Sequence, residues 1–581
     1  MTAYGDIYFV SRTGSRWFRN PAEVCVAEHI DEVRPCLAAV AEHVAKGRYA
    51  AGYVAYEAAP AFDNALRCHA SSALPLVWFG IYDEPVECPN LSDDSFTVGP
   101  WEPSLSRDVY VERVQHLREL IAAGDTYQVN FTFPLRATFR GSAHAWFRAL
   151  CDAQPTDHAA FLNLGRHHIV SVSPELFVER DGTTLRVRPM KGTAARGRYV
   201  DEDEANARWL QSSEKNRAEN VMIVDLLRND LGRISEIGSV RVERLFEVEQ
   251  YPTVWQMTST IAAESHASVP DILAALFPSG SVTGAPKVRT MEIIRAFETG
   301  PRGVYCGAIG WWEPSGRASF SVAIRTATVD TEKGIAEYPV GSGITWDSSS
   351  TDEYDECLAK AVVLTAQRPV FSLLESIRYD GGYFLMDRHL GRLAASARYF
   401  DIPCDIYTLR RQLEEAARTY LEEPRKVRVL MDRVGRVNIE SEPAPASQPV
   451  RLGLARKAVD SSDVFLFHKT THRAVYEFAR ASRPDCDDVL LWNERGEITE
   501  STTANVVIEL DGQMVTPPVS CGLLAGTYRA ELLARGEIAE AVIAVEDLAR
   551  CQAIHLINSV RQWIAVEYVA EVEPATETVP G

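Results

Sequence analysis

Apolar positions along this chain recur with two periods, and the switches between them mark its elements. Tyr49-Ala50-Ala51-Gly52-Tyr53-Val54-Ala55-Tyr56-Glu57 is an almost unbroken apolar run of strand length and predicts a buried strand. From Asp108 to Ala122 the apolar residues Val111, Val114, Leu117, Leu120 and Ile121 return every three or four positions, which predicts a helix. Gly124 to Asn130 opens a strand-like run through Leu135. Over 215–232, Val221, Val224, Leu227 and Leu231 predict a second helix, ended by Asn229-Asp230 and Gly232. Gly307–Trp312 and Phe320–Arg325 read as strands.

The pattern restarts near Gln367-Arg368-Pro369, where Phe371–Ile377 begins a strand and Asp387–Leu393 enters a helix. A chain of 581 residues exceeds what one core sustains, about 300 residues. Two domains are therefore expected, 1–368 and 369–575. The Pro/Ala/Ser-rich stretch Glu442–Pro449 splits the second into subdomains of about 369–441 and 450–575. A formal net charge of −20 argues against nucleic acid and anionic membrane as partners, so an anionic substrate needs local cations. The N-terminus lacks the basic flank and apolar core of a signal peptide, and no membrane-length apolar run exists. Eleven cysteines without a CxxC pair suggest reduced thiols and a cytoplasmic protein. His468 and His472 flank Thr470-Thr471, which suits a strand or turn rather than a zinc-binding helix face.

Candidate chemistry gathers in the first domain. Glu353 and Glu356, three apart, share a helix face, and with Glu219 they could hold a hard dication such as Mg2+. The plain alternative is a solvated acidic surface. Arg325 can offer a bidentate fork to a carboxylate, and Gly280, Gly341 and Gly343 can bring backbone N–H groups close. Pro189-Met190-Lys191-Gly192-Thr193 alone is an ordinary turn. Its company is Ser173-Pro174-Glu175-Leu176-Phe177, Ala218–Leu226, Arg228–Gly232, Gly280–Lys287 and Glu353-Tyr354-Asp355-Glu356 followed by Lys360.

In that order the set resembles the chorismate-utilising enzymes, over about residues 1–366 and most strongly over 170–360. The resemblance implies an α+β, sandwich-like fold flanked by helices. It also implies chorismate as substrate, Glu219 and Glu356 on Mg2+ with Glu353 near them, and Glu175 as general acid at the C4 hydroxyl. Arg325, Gly280, Gly341, Gly343, Thr193, Thr283 and Gln256 would contact the substrate. Lys191 would act at C2, as a nucleophile or as a fixed ammonium. In this family Ala-Gly-Thr resembles anthranilate synthase, whereas Lys-Gly-Thr resembles aminodeoxychorismate synthase component I. Two positions depart from the family: Gln256 stands where histidine is frequent and can only hydrogen-bond, and Asn216 replaces a frequent acid near the metal. No cysteine elbow suggests a built-in glutaminase, so ammonia is expected from a separate glutamine amidotransferase subunit.

The second domain carries His389-Leu390-Gly391-Arg392-Leu393, Lys469-Thr470-Thr471-His472-Arg473, Glu500–Val506, Leu523–Arg529 and Asn558-Ser559-Val560-Arg561. These resemble the fold-type IV pyridoxal-phosphate enzymes, which include aminotransferases and aminodeoxychorismate lyase. By that resemblance Lys469 carries pyridoxal 5'-phosphate and moves the substrate proton, and Glu500 pairs with the pyridine nitrogen. Arg392, Gly526, Thr527, Tyr528 and Ser559 would hold the phosphate, and a homodimer through this domain is compatible with it. Gln562 follows Arg561 where related lyases often have glycine. The combined expectation is two-step synthesis of p-aminobenzoate. Anthranilate or isochorismate/salicylate synthesis in the first domain, an aminotransferase in the second, and a silent glutaminase-binding scaffold stay open as alternatives.

Overall fold

The computed structural model describes residues 3–70, 73–87, 94–364, 369–420, 423–446 and 448–570. The junction expected at 368, Ser447 of the expected linker and residues 571–575 lie outside them. The chain forms two compact units, one of Met1–Ala195 and Asn206–Arg368, the other of Arg196–Ala205 and Pro369–Gly581. No helix among the described residues is long and apolar enough to cross a membrane.

Two large antiparallel sheets make the first unit. One runs Gly284–Ala285, Gln128–Gly141, Ile335–Ile344, Thr326–Asp330, His167–Ser173, His158–Leu164, Ile7–Ser11, Gly14–Phe18. The other runs Met190–Ala195, Val254–Glu264, Thr184–Arg188, Leu176–Asp181, Ala318–Val322, Ala308–Trp312, Tyr49–Val54, Val77–Tyr82, Glu23–Ala27. Ile7, Phe18, Leu162 and Ile169 of one sheet pack with Tyr53, Trp78, Tyr82 and Ile309 of the other, forming the inner layer of a sandwich. Helices cover the outer faces. Arg107–Ala122 lays Tyr110, Val114 and Leu117 on Phe131, Phe133 and Val340. Glu214–Gly232 lays Ile223, Val224, Leu227 and Leu231 on the other sheet's core, leaving Val221 exposed.

One expected boundary holds and one moves. The helix runs Glu214–Gly232 and ends at Gly232 as expected; Asn229 and Asp230 sit in its last turn, where buried Asp230 pairs with the Lys287 ammonium at 2.8 Å. The strand expected over Phe320–Arg325 ends at Val322; the chain then crosses to the other sheet, with Arg325 in the left-handed region at φ 49°. A buried guanidinium joins a strand of the first sheet to the helical turn Gly280–Val282. Arg302 donates to Glu298 (2.7 and 3.0 Å), to the Val282 carbonyl and to the Asn130 carbonyl (both 2.7 Å).

In the second unit a three-stranded sheet, Leu373–Tyr379, Arg425–Met431 and Val437–Pro443, packs on the helices Met386–Tyr399 and Ile406–Ala417. An eight-stranded sheet follows, with parallel pairing where Val450–Leu454 lies between Asp488–Trp492 and Gln562–Val569. Glu442 and Pro443, expected in the linker, belong to the strand Val437–Pro443. Arg196–Ala205 is part of this unit: Arg196 and Asp203 form a buried ion pair at 2.7 Å, Arg196 donates to the Tyr399 carbonyl, and the Tyr399 hydroxyl donates to the Gly197 carbonyl.

Two candidate active sites

A cavity of about 490 Å³ opens in the first unit, lined by Glu175, Lys191, Thr193, Glu219, Gln256, Arg325, Gly341, Gly343, Glu353, Glu356 and Lys360. Lys191 is aimed by a β-bulge. Met190 pairs with Thr258 and Thr193 with Gln256, so Lys191 and Gly192 together oppose Met257. Gly192 takes φ +95°, and a Cβ there would meet the Asn216 side chain at 3.0 Å. Gln256 fastens the bulge, donating to the Gly192 carbonyl (2.8 Å) and accepting from the Thr193 hydroxyl (3.1 Å). Across the cavity, a Cβ on Gly343 would stand 3.0 Å from the Lys191 nitrogen, so glycine leaves that nitrogen room.

Burial lowers the Lys191 pKa and Lys360 adds to this, against the pull of Glu219, Glu175 and Glu356. Glu175, 3% exposed, follows the strand His167–Ser173; burial pushes its carboxyl up to about 7 although the Ser281 hydroxyl donates to it at 2.5 Å. Glu219 is raised by burial, with Glu353 and Glu356 contributing. Glu356 is exposed at the cavity; desolvation raises it, but Lys360, 2.7 Å away, outweighs this and lowers it, and Lys360 also donates to the Gly341 carbonyl at 2.9 Å. Glu353 accepts from Ser348 at 2.6 Å. Three carboxylates around one cavity are the donor chemistry of a hard dication that keeps waters and substrate oxygens in its shell. Their oxygens do not all lie within 4.8 Å of one another, as the ligand atoms of Glu23, Cys25 and His43 do. Arg325 brings a half-buried guanidinium that forms no ion pair among the described residues.

Gly280 and Thr283 do not line this cavity. The short helical turn Gly280–Val282 turns Ser281 and Val282 inward. Gly280 instead faces Leu226, which a Cβ would meet at 2.3 Å, and the Thr283 hydroxyl donates to the Ser279 carbonyl at 3.0 Å. Ser281 belongs to the same Gly280–Lys287 motif, but nothing in the motif singles it out from Gly280 and Thr283; its contact with Glu175 does.

The second unit holds a cavity of about 390 Å³ lined by Arg392, Lys469, Glu500, Gly526, Thr527, Tyr528 and Ser559. Lys469 is held by its backbone: its carbonyl accepts from Leu374 N–H (2.9 Å), and Thr470 bridges Leu373. Burial, reinforced by Arg392, brings the Lys469 ammonium down to about 8. Burial raises Glu500 to about 7 while Tyr476 (2.9 Å), Asn505 (3.1 Å) and the Leu524 N–H (3.2 Å) donate to it. Thr527 opens a helix capped by Gly526, whose first N–H groups have no hydrogen-bond partner among the described residues and point to where an anion can bind. Glycine is required there, since a Cβ would lie 1.9 Å from the Asn505 side-chain oxygen.

Arg392 is oriented by a residue that sequence reading placed only in a strand. Buried Glu375 takes two hydrogen bonds from its guanidinium (2.8 and 2.7 Å) and one from His389 (2.6 Å), and the other His389 ring nitrogen meets the Thr527 hydroxyl at 3.2 Å. Despite burial, Arg392 and His389 hold the Glu375 carboxyl at about 2. A guanidinium beside a helix start, a buried carboxyl and a half-buried lysine of lowered pKa fit an aldehyde cofactor bearing a phosphate and a basic ring nitrogen.

Comparison with known proteins agrees with this division. Residues 87–366 match the chorismate binding enzyme family and residues 372–569 the amino-transferase class IV family. Aminodeoxychorismate synthase component 1 of Klebsiella aerogenes is 39% identical over 49% of this chain and 62% of its own length. Anthranilate synthase component 1 of Streptomyces coelicolor is 41% identical over 46% and 53%. The structure of anthranilate synthase component I from Streptococcus pneumoniae superposes with a TM-score of 0.54 at 26% identity, covering 63% of this chain and 93% of that one. The chain spans 39%, 62% and 59% of three aminodeoxychorismate synthases it matches. One polypeptide therefore joins a chorismate binding enzyme domain to an amino-transferase class IV domain.

Proposed function

We propose that the chain aminates chorismate at C4 to 4-amino-4-deoxychorismate and then removes pyruvate from that product to leave p-aminobenzoate. Overall identity does not separate C4 from C2 amination, since both kinds of relative lie near 40%. The observation that carries the reading is Lys191, half-buried and aimed by its bulge into a cavity shared with Glu175. Arg325 offers its fork to one substrate carboxylate. Glu219, Glu353 and Glu356 would hold Mg2+, which when bound neutralises the other. Glu175, with a pKa near 7, protonates the departing C4 hydroxyl, which leaves as water. Lys191 bonds to C2 as that hydroxyl goes; ammonia then adds at C4 and the C2–nitrogen bond breaks. The ammonia comes from a separate glutamine amidotransferase subunit.

In the second cavity pyridoxal 5'-phosphate would rest on Arg392, Thr527 and Ser559 and supply an electron sink for the carbon bearing the substrate amine. Glu500, its carboxyl raised to about 7, would face the ring nitrogen and share its proton with it. Lys469, at about 8, takes the proton from C4, the C3–oxygen bond breaks, and enolpyruvate leaves to become pyruvate on protonation at its methylene carbon.

The test is product analysis with the full chain, chorismate, Mg2+, ammonium and pyridoxal phosphate. Equimolar p-aminobenzoate and pyruvate are expected. Anthranilate or salicylate would overturn the first step, and accumulating aminodeoxychorismate would overturn the second alone.

A further inference from the structure

The second cavity holds more positive charge than a phosphate needs, and most of it is already engaged. Arg392 is paired with Glu375, Lys426 with Glu442 at 2.8 Å, Arg529 with Glu540 at 2.5 Å, and Arg428 with Glu440 at 3.7 Å. Arg473 donates to the Thr502 carbonyl and covers the Tyr476 ring. Arg561 differs. It lines the same cavity, is half-buried, and its guanidinium forms no ion pair or hydrogen bond among the described residues. Asp488 attracts it, but that carboxylate is committed to Val489 N–H, Thr502 N–H and the hydroxyls of Thr502 and Thr503.

The backbone beneath Arg561 is rigid. Asn558 pairs with Gln562 across a tight turn between two strands. The Asn558 side-chain oxygen accepts from the N–H groups of Val560 (3.1 Å) and Arg561 (2.8 Å). Ser559 donates to the Ser376 carbonyl at 3.2 Å, and Arg378 donates to the Val560 carbonyl at 3.3 Å. A half-buried guanidinium with no ion pair or hydrogen bond of its own among the described residues, on a turn held from both sides, has the chemistry of a carboxylate receptor.

We propose that Arg561 anchors a carboxylate of the second reaction's substrate and so selects a dicarboxylate over ordinary amino acids; this rests on the lyase reading above. The substrate offers two carboxylates, one on the ring and one on the enolpyruvyl arm. Each survives in its own product, p-aminobenzoate or pyruvate, so the two sources can be told apart.

The experiment uses the full chain loaded with pyridoxal phosphate. Each product is titrated separately against the cofactor's visible absorbance, for wild type, Arg561→Gln and Arg561→Lys. Arg561→Gln is expected to weaken one of them about 10- to 100-fold, as loss of a charge-assisted pair does. Arg561→Lys should recover part of that, and the Kd for pyridoxal phosphate should stay within about twofold. The KM for aminodeoxychorismate should rise by the same factor, with kcat changed less than about threefold. Loss of p-aminobenzoate affinity assigns the ring carboxylate, and loss of pyruvate affinity assigns the arm. The inference is overturned if both affinities stay within twofold of wild type, or if cofactor affinity falls in parallel. A wild-type chain that binds the products but releases none from aminodeoxychorismate sinks the lyase reading while the titrations still decide Arg561.

Discussion

Glu375→Gln is the sharpest probe of how the second site is held. The substitution keeps shape and removes one charge, leaving Arg392 facing a neutral amide and His389 without its anion. The carboxylate is 1% exposed and accepts three hydrogen bonds of 2.6 to 2.8 Å. Its carboxyl has an ordinary value of 4.5 and is held at about 2, which corresponds to roughly 3 kcal/mol in favour of the anion. Breaking a buried ion pair from one side costs about 3–5 kcal/mol, so two independent routes reach the same size. The sign is that of a depressed carboxyl: the contribution is complete above about pH 4.5 and is lost as pH falls towards 2. Two units in one chain rule out a single global unfolding free energy, so the readout should be local. Amide hydrogen exchange over the helix Met386–Tyr399 should report a loss of about 3 kcal/mol at pH 7, and the Kd for pyridoxal phosphate should rise. Glu375→Gln combined with Arg392→Gln should cost about 1–3 kcal/mol less than the two changes summed. A loss under about 1 kcal/mol with unaltered cofactor affinity would refute the idea that Glu375 sets Arg392.

Glu175→Gln should lower kcat of the chorismate reaction about 10²- to 10⁴-fold. In wild type, at fixed free ammonia, the rate should fall as pH rises through about 7, where Glu175 loses its proton; a flat profile there would exclude it as the acid. Arg302→Met leaves Glu298 buried and unpaired, and urea unfolding of the first unit should show a loss of about 3–5 kcal/mol. Gln562 sits at φ 60°, and Gln562→Gly should stabilise the second unit by about 0.5–1 kcal/mol, read from hydrogen exchange across the Asn558–Gln562 turn.

Periodicity locates elements whose neighbours are close in sequence. The helix Glu214–Gly232 follows from the spacing of Val224, Leu227 and Leu231, and Glu353 and Glu356 share a helix as three-residue spacing requires. It fails where a long-range partner rewrites a local rule. It does not foresee that Asp230, in the last turn before the expected stop at Gly232, is buried and paired with Lys287, 57 positions on. Phe320, Val322 and Ile324 alternate like one strand, yet the chain changes sheets at Arg325, and that change brings the guanidinium to the cavity rim. Family motifs have the complementary weakness: they mark a segment without saying which side faces in. Gly280 and Thr283 share a motif with Ser281, but a three-residue helical turn points successive side chains apart, so Ser281 reaches Glu175 while Gly280 meets Leu226. Glu375 shows the limit of both. An acid inside an apolar strand has no local reason to be there, and its reason, Arg392 and His389, lies on a helix that begins eleven residues later. A buried charge in an otherwise apolar strand is thus itself a signal that a cation must come to it, and the positively charged residues of nearby motifs are where to look first.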